Sequence, residues 1–291
     1  MGSAASSLTG SYVRALLPKR RAGAWVQAGM ERTDVAVAPA ALTRYRRLCG
    51  FAPDGPVPAT YPHLTAFPLA MALMTRRDFP FPVLGLVHLA NEIEQLEPLD
   101  EDRRLGYRVW IEKPREHPRG AAFDVLAEAH DAGERRILWR ATSTYLRRAK
   151  PSAASRRPHA TSASSSSASR PADTPPPPPG AEPWYLPADL GRAYAAVSGD
   201  RNPIHLYPGT ARLFGYPHPI AHGMWTAARC LAALAAADLP DRFRLRVEFH
   251  APVPLPSTVL FHAAQTTDIR DFSLSSADTG RRHLHGDLAP L

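Results

Sequence analysis

The chain has 291 residues, 44% of them hydrophobic and 21% charged, a globular balance rather than a disordered one, with length for two domains of ordinary size. Its two cysteines, Cys49 and Cys230, exclude a disulfide framework and point to a reducing, cytoplasmic setting. The net charge of +8 gathers in residues 147–170, which carry six arginines and lysines and no acid, and in the first thirty residues, which also lack any acid; solvated tails and linkers explain such runs better than a nucleic-acid face. Met1-Gly2-Ser3-Ala4-Ala5-Ser6 formally fits a myristoylation pattern, and the Arg- and Ser-rich start has the composition of a transit peptide. After a beginning of mixed loop and strand, residues 62–75 are apolar on nearly every side and predict a buried helix, with Pro68 in its first turn or kinking it. Residues 81–93 and 107–113 read as strands, and 121–129 with 136–146 as a hairpin turning at Asp131-Ala132-Gly133.

Residues 151–180 are dominated by serine, alanine and proline and end in five consecutive prolines, Pro175 to Pro179. Such a segment has almost nothing to bury and is expected to be a flexible linker, in polyproline II form at the prolines. It has no aromatic residue between Leu146 and Trp184, so nucleic-acid bases would find no stacking platform. The expected division is 1–150, linker 151–180, and 181–291. In the last part a helix is expected from near Leu186, an alanine-rich helix over 222–237, and strands over 244–249, 259–267, 270–276 and 282–288. Helix followed by antiparallel strands is an α+β plan, here written twice in the same element order. The longest apolar stretches, 79–90 and 227–237, fall short of the roughly 20 residues that span a membrane.

Between the two helices of the last part lies Gly199-Asp200-Arg201-Asn202-Pro203-Ile204-His205. Five positions on a helix put Asp200 and His205 about 140° apart, and on a strand they face opposite ways. Pro203 keeps Asn202 out of helical geometry, and Asn202 favours a local Asx turn. A curled loop therefore aims both side chains at one point, where a carboxylate and an imidazole sharing a water form a general acid/base pair. The plainer alternative is ordinary turn chemistry, with the aspartate capping a helix. A second feature, Pro219-Ile220-Ala221-His222-Gly223-Met224, opens the alanine-rich helix. The first amides of a helix lack internal partners and form its positive end, and a glycine there lets a ligand oxygen approach the backbone. Gly223 N–H is thus a candidate oxyanion donor, with His222 as an anchor of the loop. A helix start with a packing glycine is the alternative.

Residues 194–205 followed by Ala221-His222-Gly223-Met224, with 17 positions from His205 to His222, resemble the signature of the MaoC-like, R-specific enoyl-thioester hydratases. Leu213-Phe214-Gly215-Tyr216-Pro217 is similar to the family's loop before its central helix, and residues 249–256 to its usual strand end. Residues 58–62 and 79–88 resemble the N-terminal half of the bacterial double-hotdog 3-hydroxyacyl-thioester dehydratases. That resemblance implies two tandem hotdog folds, each an antiparallel sheet around a long helix. The first is degenerate and non-catalytic, leaving room for a longer acyl tail, with His88 a structural histidine. It implies that Asp200 and His205 activate water and return a proton to the α-carbon, that Gly223 N–H binds the thioester oxygen, and that Asn202 shapes the loop. The implied reaction is syn hydration of a trans-2-enoyl thioester to the (3R)-hydroxyacyl product, or its reverse, on a coenzyme A or carrier-protein thioester, a phosphate-bearing partner suited to a basic surface. No metal and no redox cofactor is implied, and the sequence has neither metal-ligand spacing nor a phosphate loop. His283 and His285 read as surface positions on one face of a strand. A double hotdog is expected as a monomer or a homodimer. A non-catalytic acyl-thioester-binding or assembly module of the same fold is the alternative function.

Overall fold

A computed structural model describes residues 29–149, 178–266 and 268–291. The N-terminal targeting patterns and residues 151–177 of the expected linker lie outside the described residues. The first half runs β1 (Gly29–Val35), α1 (Pro39–Cys49), α2 (Pro62–Met74), β2 (Leu86–Gln95), β3 (Leu105–Ile111), β4 (Arg115–His117), β5 (Gly120–Asp131) and β6 (Ile137–Arg148). The second half runs β7 (Glu182–Leu186), α3 (Leu190–Ser198), a single 3-10 turn (Pro203–His205), α4 (Pro208–Leu213), α5 (Gly223–Leu234), β8 (Phe243–Phe249), β9 (Ser257–Thr266), β10 (Ile269–Ser276) and β11 (Arg282–Pro290).

The strands form one antiparallel sheet in the order β1-β3-β5-β6-β2-β8-β11-β10-β9-β7, with the short β4 beside β5. Leaving β4 aside, each half uses the same internal order: first, third, fourth, fifth, second strand. The halves join through their second strands, with Ile93 opposite Leu245 and Asn91 opposite Val247. The plan written twice in the sequence is therefore a doubled sheet topology, two hotdogs fused edge to edge.

Each half wraps its sheet around an apolar helix. In α2, Pro62 occupies the first helical position, where its missing N–H costs nothing. Pro68 lies further along, and the helix continues through it to Met74. The alanines of α5 favour helix and let neighbouring elements approach closely; Ala227, Ala228, Cys230 and Leu231 are buried. Side chains of both helices and both half-sheets belong to one continuous core cluster. Helix α1 sits at the junction. Its Leu42, Tyr45, Arg46 and Cys49 are buried at helical spacing, and Trp225 Nε1 of α5 donates to the Leu48 carbonyl at 3.1 Å. Both cysteines are free and buried.

Several boundaries differ from expectation. The strand expected over 81–93 begins only at Leu86, because Pro80 and Pro82 have no amides to give a ladder. The helix expected from Leu186 begins at Leu190, and Glu182–Leu186 is instead a strand paired with β9. Helix α5 ends at Leu234 rather than Ala237. The hairpin turn is as read, with Asp131 Oδ1 accepting the Gly133 and Glu134 amides at 2.9 and 3.1 Å.

Candidate active site

Helix α3 ends at Gly199, whose left-handed φ of 77° turns the chain out of the helix. Two Asx turns then curl the loop. Asp200 Oδ1 accepts the Asn202 amide at 3.1 Å, and Asn202 Oδ1 accepts the Ile204 amide at 3.4 Å. Pro203 opens the 3-10 turn that carries His205. Residues 219–221 clamp this loop from outside: Ile220 N–H donates to the Ile204 carbonyl at 3.1 Å, Ala221 N–H to Val253 at 2.9 Å, and Leu255 N–H to Pro219 at 2.8 Å. The clamp delivers His222 to the N-cap of α5 and Gly223 to its first turn.

The outcome brings Asp200, His205 and His222 together, with one potential ligand atom of each within 4.8 Å of the others. His205 Nδ1 lies 2.7 Å from the Ile220 carbonyl, a contact that requires the proton on Nδ1 and leaves Nε2 as a base. His222 Nε2 lies 3.0 Å from the Asp200 carbonyl and therefore carries its proton there. Its ring stacks on that of His205 with centroids 3.7 Å apart. His222 thus ties the helix start to the Asp200 backbone. Burial lowers the pKa of His205, opposed by the Asp200 charge. Burial, with His205 beside it, holds His222 down to about 3. Both rings are neutral near pH 7. Asp200 keeps a quarter of its side chain exposed. These groups line a cavity of about 210 Å³ with Gly223 and Asn202. The same three side chains are spaced to hold a metal ion.

The sequence reading missed part of this cavity. Its walls include His63, Phe67 and Met71 of α2, His88 of β2 and Tyr145 of β6, all from the first half. His283, expected at the surface, is 4% exposed and lines the cavity. The correction has a local cause. Pairing of β10 with β11 steps from Leu274–Leu284 to Ser275–Arg282, so His283 is the extra residue of a bulge, and strict alternation fails there.

A doubled hotdog with an Asp–His loop facing a helix N-terminus defines a class of acyl-handling proteins. Residues 170–285 match the family model described as MaoC like domain. The chain is 36% identical, over 258 residues covering 89% of it and 88% of the relative, to 3-hydroxyacyl-thioester dehydratase X of Mycobacterium tuberculosis. The chain therefore belongs to the MaoC-like family. The crystal structure of HtdX from Mycobacterium tuberculosis superposes with a TM-score of 0.76 at 32% identity, covering 91% of this chain and all of that one. A Mycobacterium tuberculosis protein described as a double hotdog fold shares the fold at 10% identity, with a TM-score of 0.55 over 91% of this chain and 96% of that one.

Proposed function

We propose that the protein is a hydro-lyase that hydrates trans-2-enoyl thioesters to (3R)-hydroxyacyl thioesters and catalyses the reverse dehydration, within fatty-acid metabolism. The observation that carries this reading is the meeting of Asp200 and the neutral His205 beside the first amide of α5, at a cavity with an apolar wall. The name of the mycobacterial relative, 3-hydroxyacyl-thioester dehydratase, supports it.

In the hydration direction His205 Nε2 takes a proton from the water that Asp200 helps to hold. The water oxygen bonds to C3 while the C2–C3 π electrons move toward the thioester carbonyl. Gly223 N–H meets the charge on that oxygen, at the positive end of the helix. The proton then passes to C2 on the same face, completing syn addition. Asn202 keeps the loop curled, and His222 holds the Asp200 backbone. Residues 181–291 are proposed as the catalytic part and 1–150 as a non-catalytic partner that walls the acyl end, joined by 151–180. The carrier is coenzyme A or an acyl carrier protein, the setting cytoplasmic, and the assembly a monomeric double hotdog or a homodimer. No metal or redox group takes part.

The test is a rate profile of the purified protein on enoyl-CoA substrates from crotonyl upward, followed by loss of enoyl absorbance, with chiral analysis of the product. Turnover to the (3R) alcohol is expected. Tight binding without turnover at every chain length would assign a binding module instead.

A further inference from the structure

Helix α4 is tied to the loop that carries Asp200 and His205. Thr210 Oγ1 donates to the Pro203 carbonyl at 2.7 Å. Just past the helix the chain doubles back at Gly215, whose φ is 85°. The Gly215 amide donates to the Arg212 carbonyl at 3.0 Å, and the Tyr216 amide to the Ala211 carbonyl at 3.1 Å. Tyr216 lines the cavity with Asn202 and Ile204. The end of α4 therefore stands one turn of chain from the cavity rim, while its own side chains stay out of the lining.

The surface at this rim is both basic and apolar. Arg201, Arg212 and His218 are exposed, and no acid occurs between Asp200 and Asp238. Arg212 Nε donates to the Pro217 carbonyl at 3.4 Å, a contact that leaves its charge unneutralised. The first half adds Arg148, which is exposed and lines the cavity. Among the described residues none of Arg148, Arg201 and Arg212 is in an ion pair. Elsewhere on the surface Arg104, Arg115, Arg140 and Arg246 each sit against a carboxylate. Leu213 is 83% exposed and Tyr207 55%. Scattered exposed apolar residues are ordinary. Here two of the five large ones among the described residues fall within seven positions, beside unpaired cations.

We infer that the end of α4 and its flanks, with Arg148 of the first half, form a docking surface for an acidic acyl carrier protein. That carrier is then preferred to coenzyme A as the bearer of the thioester. The inference rests on the hydratase reading above. The phosphate of either carrier can meet Arg148 at the cavity. Arg212 and Leu213 lie outside the lining, beyond what a thioester held in the cavity uses. An amphipathic helix with carboxylates beside apolar side chains engages both, burying Leu213 while its acids meet the cations.

The test compares kcat/KM of the full chain on trans-2-octenoyl carried by an acidic bacterial acyl carrier protein with that on trans-2-octenoyl-CoA, at low and at high ionic strength. The carrier-protein substrate is expected to be preferred by on the order of tenfold at low salt, and the preference to shrink as salt screens the surface. Arg212→Glu is expected to cut the carrier-protein value by on the order of tenfold, and Leu213→Ser severalfold. Both positions are exposed and outside the cavity, so the CoA value stays within about twofold of wild type, which also shows that the fold is intact. A wild type that prefers the CoA thioester overturns the inference and leaves the hydratase reading standing. So do variants that leave the carrier-protein value unchanged, or that lower both values equally. Absence of hydration on both carriers overturns the hydratase reading as well.

Discussion

Gly191 does not itself line the cavity, yet its replacement by alanine should disable the site. It is buried in the first turn of α3, against the backbone that carries His205. A Cβ built on it overlaps the His205 carbonyl oxygen and lies 3.0 Å from the carbonyl carbon. Backbone atoms cannot rotate away as a flexible side chain can, so the His205 segment must move as a unit by on the order of 1 Å. A displacement of that size at a catalytic group costs about 10²-fold in rate. It also strains the 2.7 Å contact of His205 Nδ1 with the Ile220 carbonyl, which sets the tautomer. Alanine gains up to about 1 kcal/mol in helix propensity, while overpacking costs about 1–3 kcal/mol. The net cost to stability is then about 0–2 kcal/mol, and the effect on activity is large. The assay is the initial rate of enoyl-CoA hydration beside a thermal melt. A Gly191→Ala protein with a rate within twofold of wild type and an unchanged melt would refute the claim that this contact positions His205.

Acid should unfold the protein early. His63 is held down to about 4 and His88 and His222 to about 3, each mainly by burial. Below the ordinary histidine value of 6.5 the unfolded chain takes up protons that these folded histidines refuse. Stability therefore falls as pH drops from about 6.5 toward 4, by up to about 1.4 kcal/mol per pH unit for each histidine. Chemical denaturation across that range checks this, and a flat profile would contradict it. Because burial also lowers the His205 pKa, the acid limb of kcat/KM should lie below 6.5. An inflection at or above that value would mean that a different group is the base. Treatment with a chelator should leave the hydration rate unchanged. A loss restored by a divalent cation would instead make Asp200, His205 and His222 metal ligands.

The fold and the candidate loop were legible for physical reasons. Pro203 and Asn202 signalled the curl of 199–205, and the left-handed Gly199 and the Asx turns of Asp200 and Asn202 are how it is achieved. Helix α5 was legible from its alanines. Other elements signalled less. Helix α1 had its markers, Pro39 at its first position and Gly50 just past its end at φ 82°, but they lay in a segment read only as mixed loop and strand. Strand β7 is short, mostly exposed and contains Pro183, which suits an edge strand but gives no alternation to read. The histidines were the main loss. His88 and His283 face the cavity through bulges, and a bulge is a register event between two strands that one strand's sequence does not encode. The doubled strand order arises in the same way, from pairing across the whole chain.

Asp200 is the residue on which the proposed chemistry depends most. Substituting Asp200→Asn changes its side chain least while removing the carboxylate proposed to hold the water beside His205. The most direct measurement is the initial rate of crotonyl-CoA hydration by this variant against wild type, at pH 7 and saturating substrate. A fall of about 10²–10⁴-fold with the melting temperature preserved is predicted; a variant that hydrates at the wild-type rate would contradict the assignment of the site.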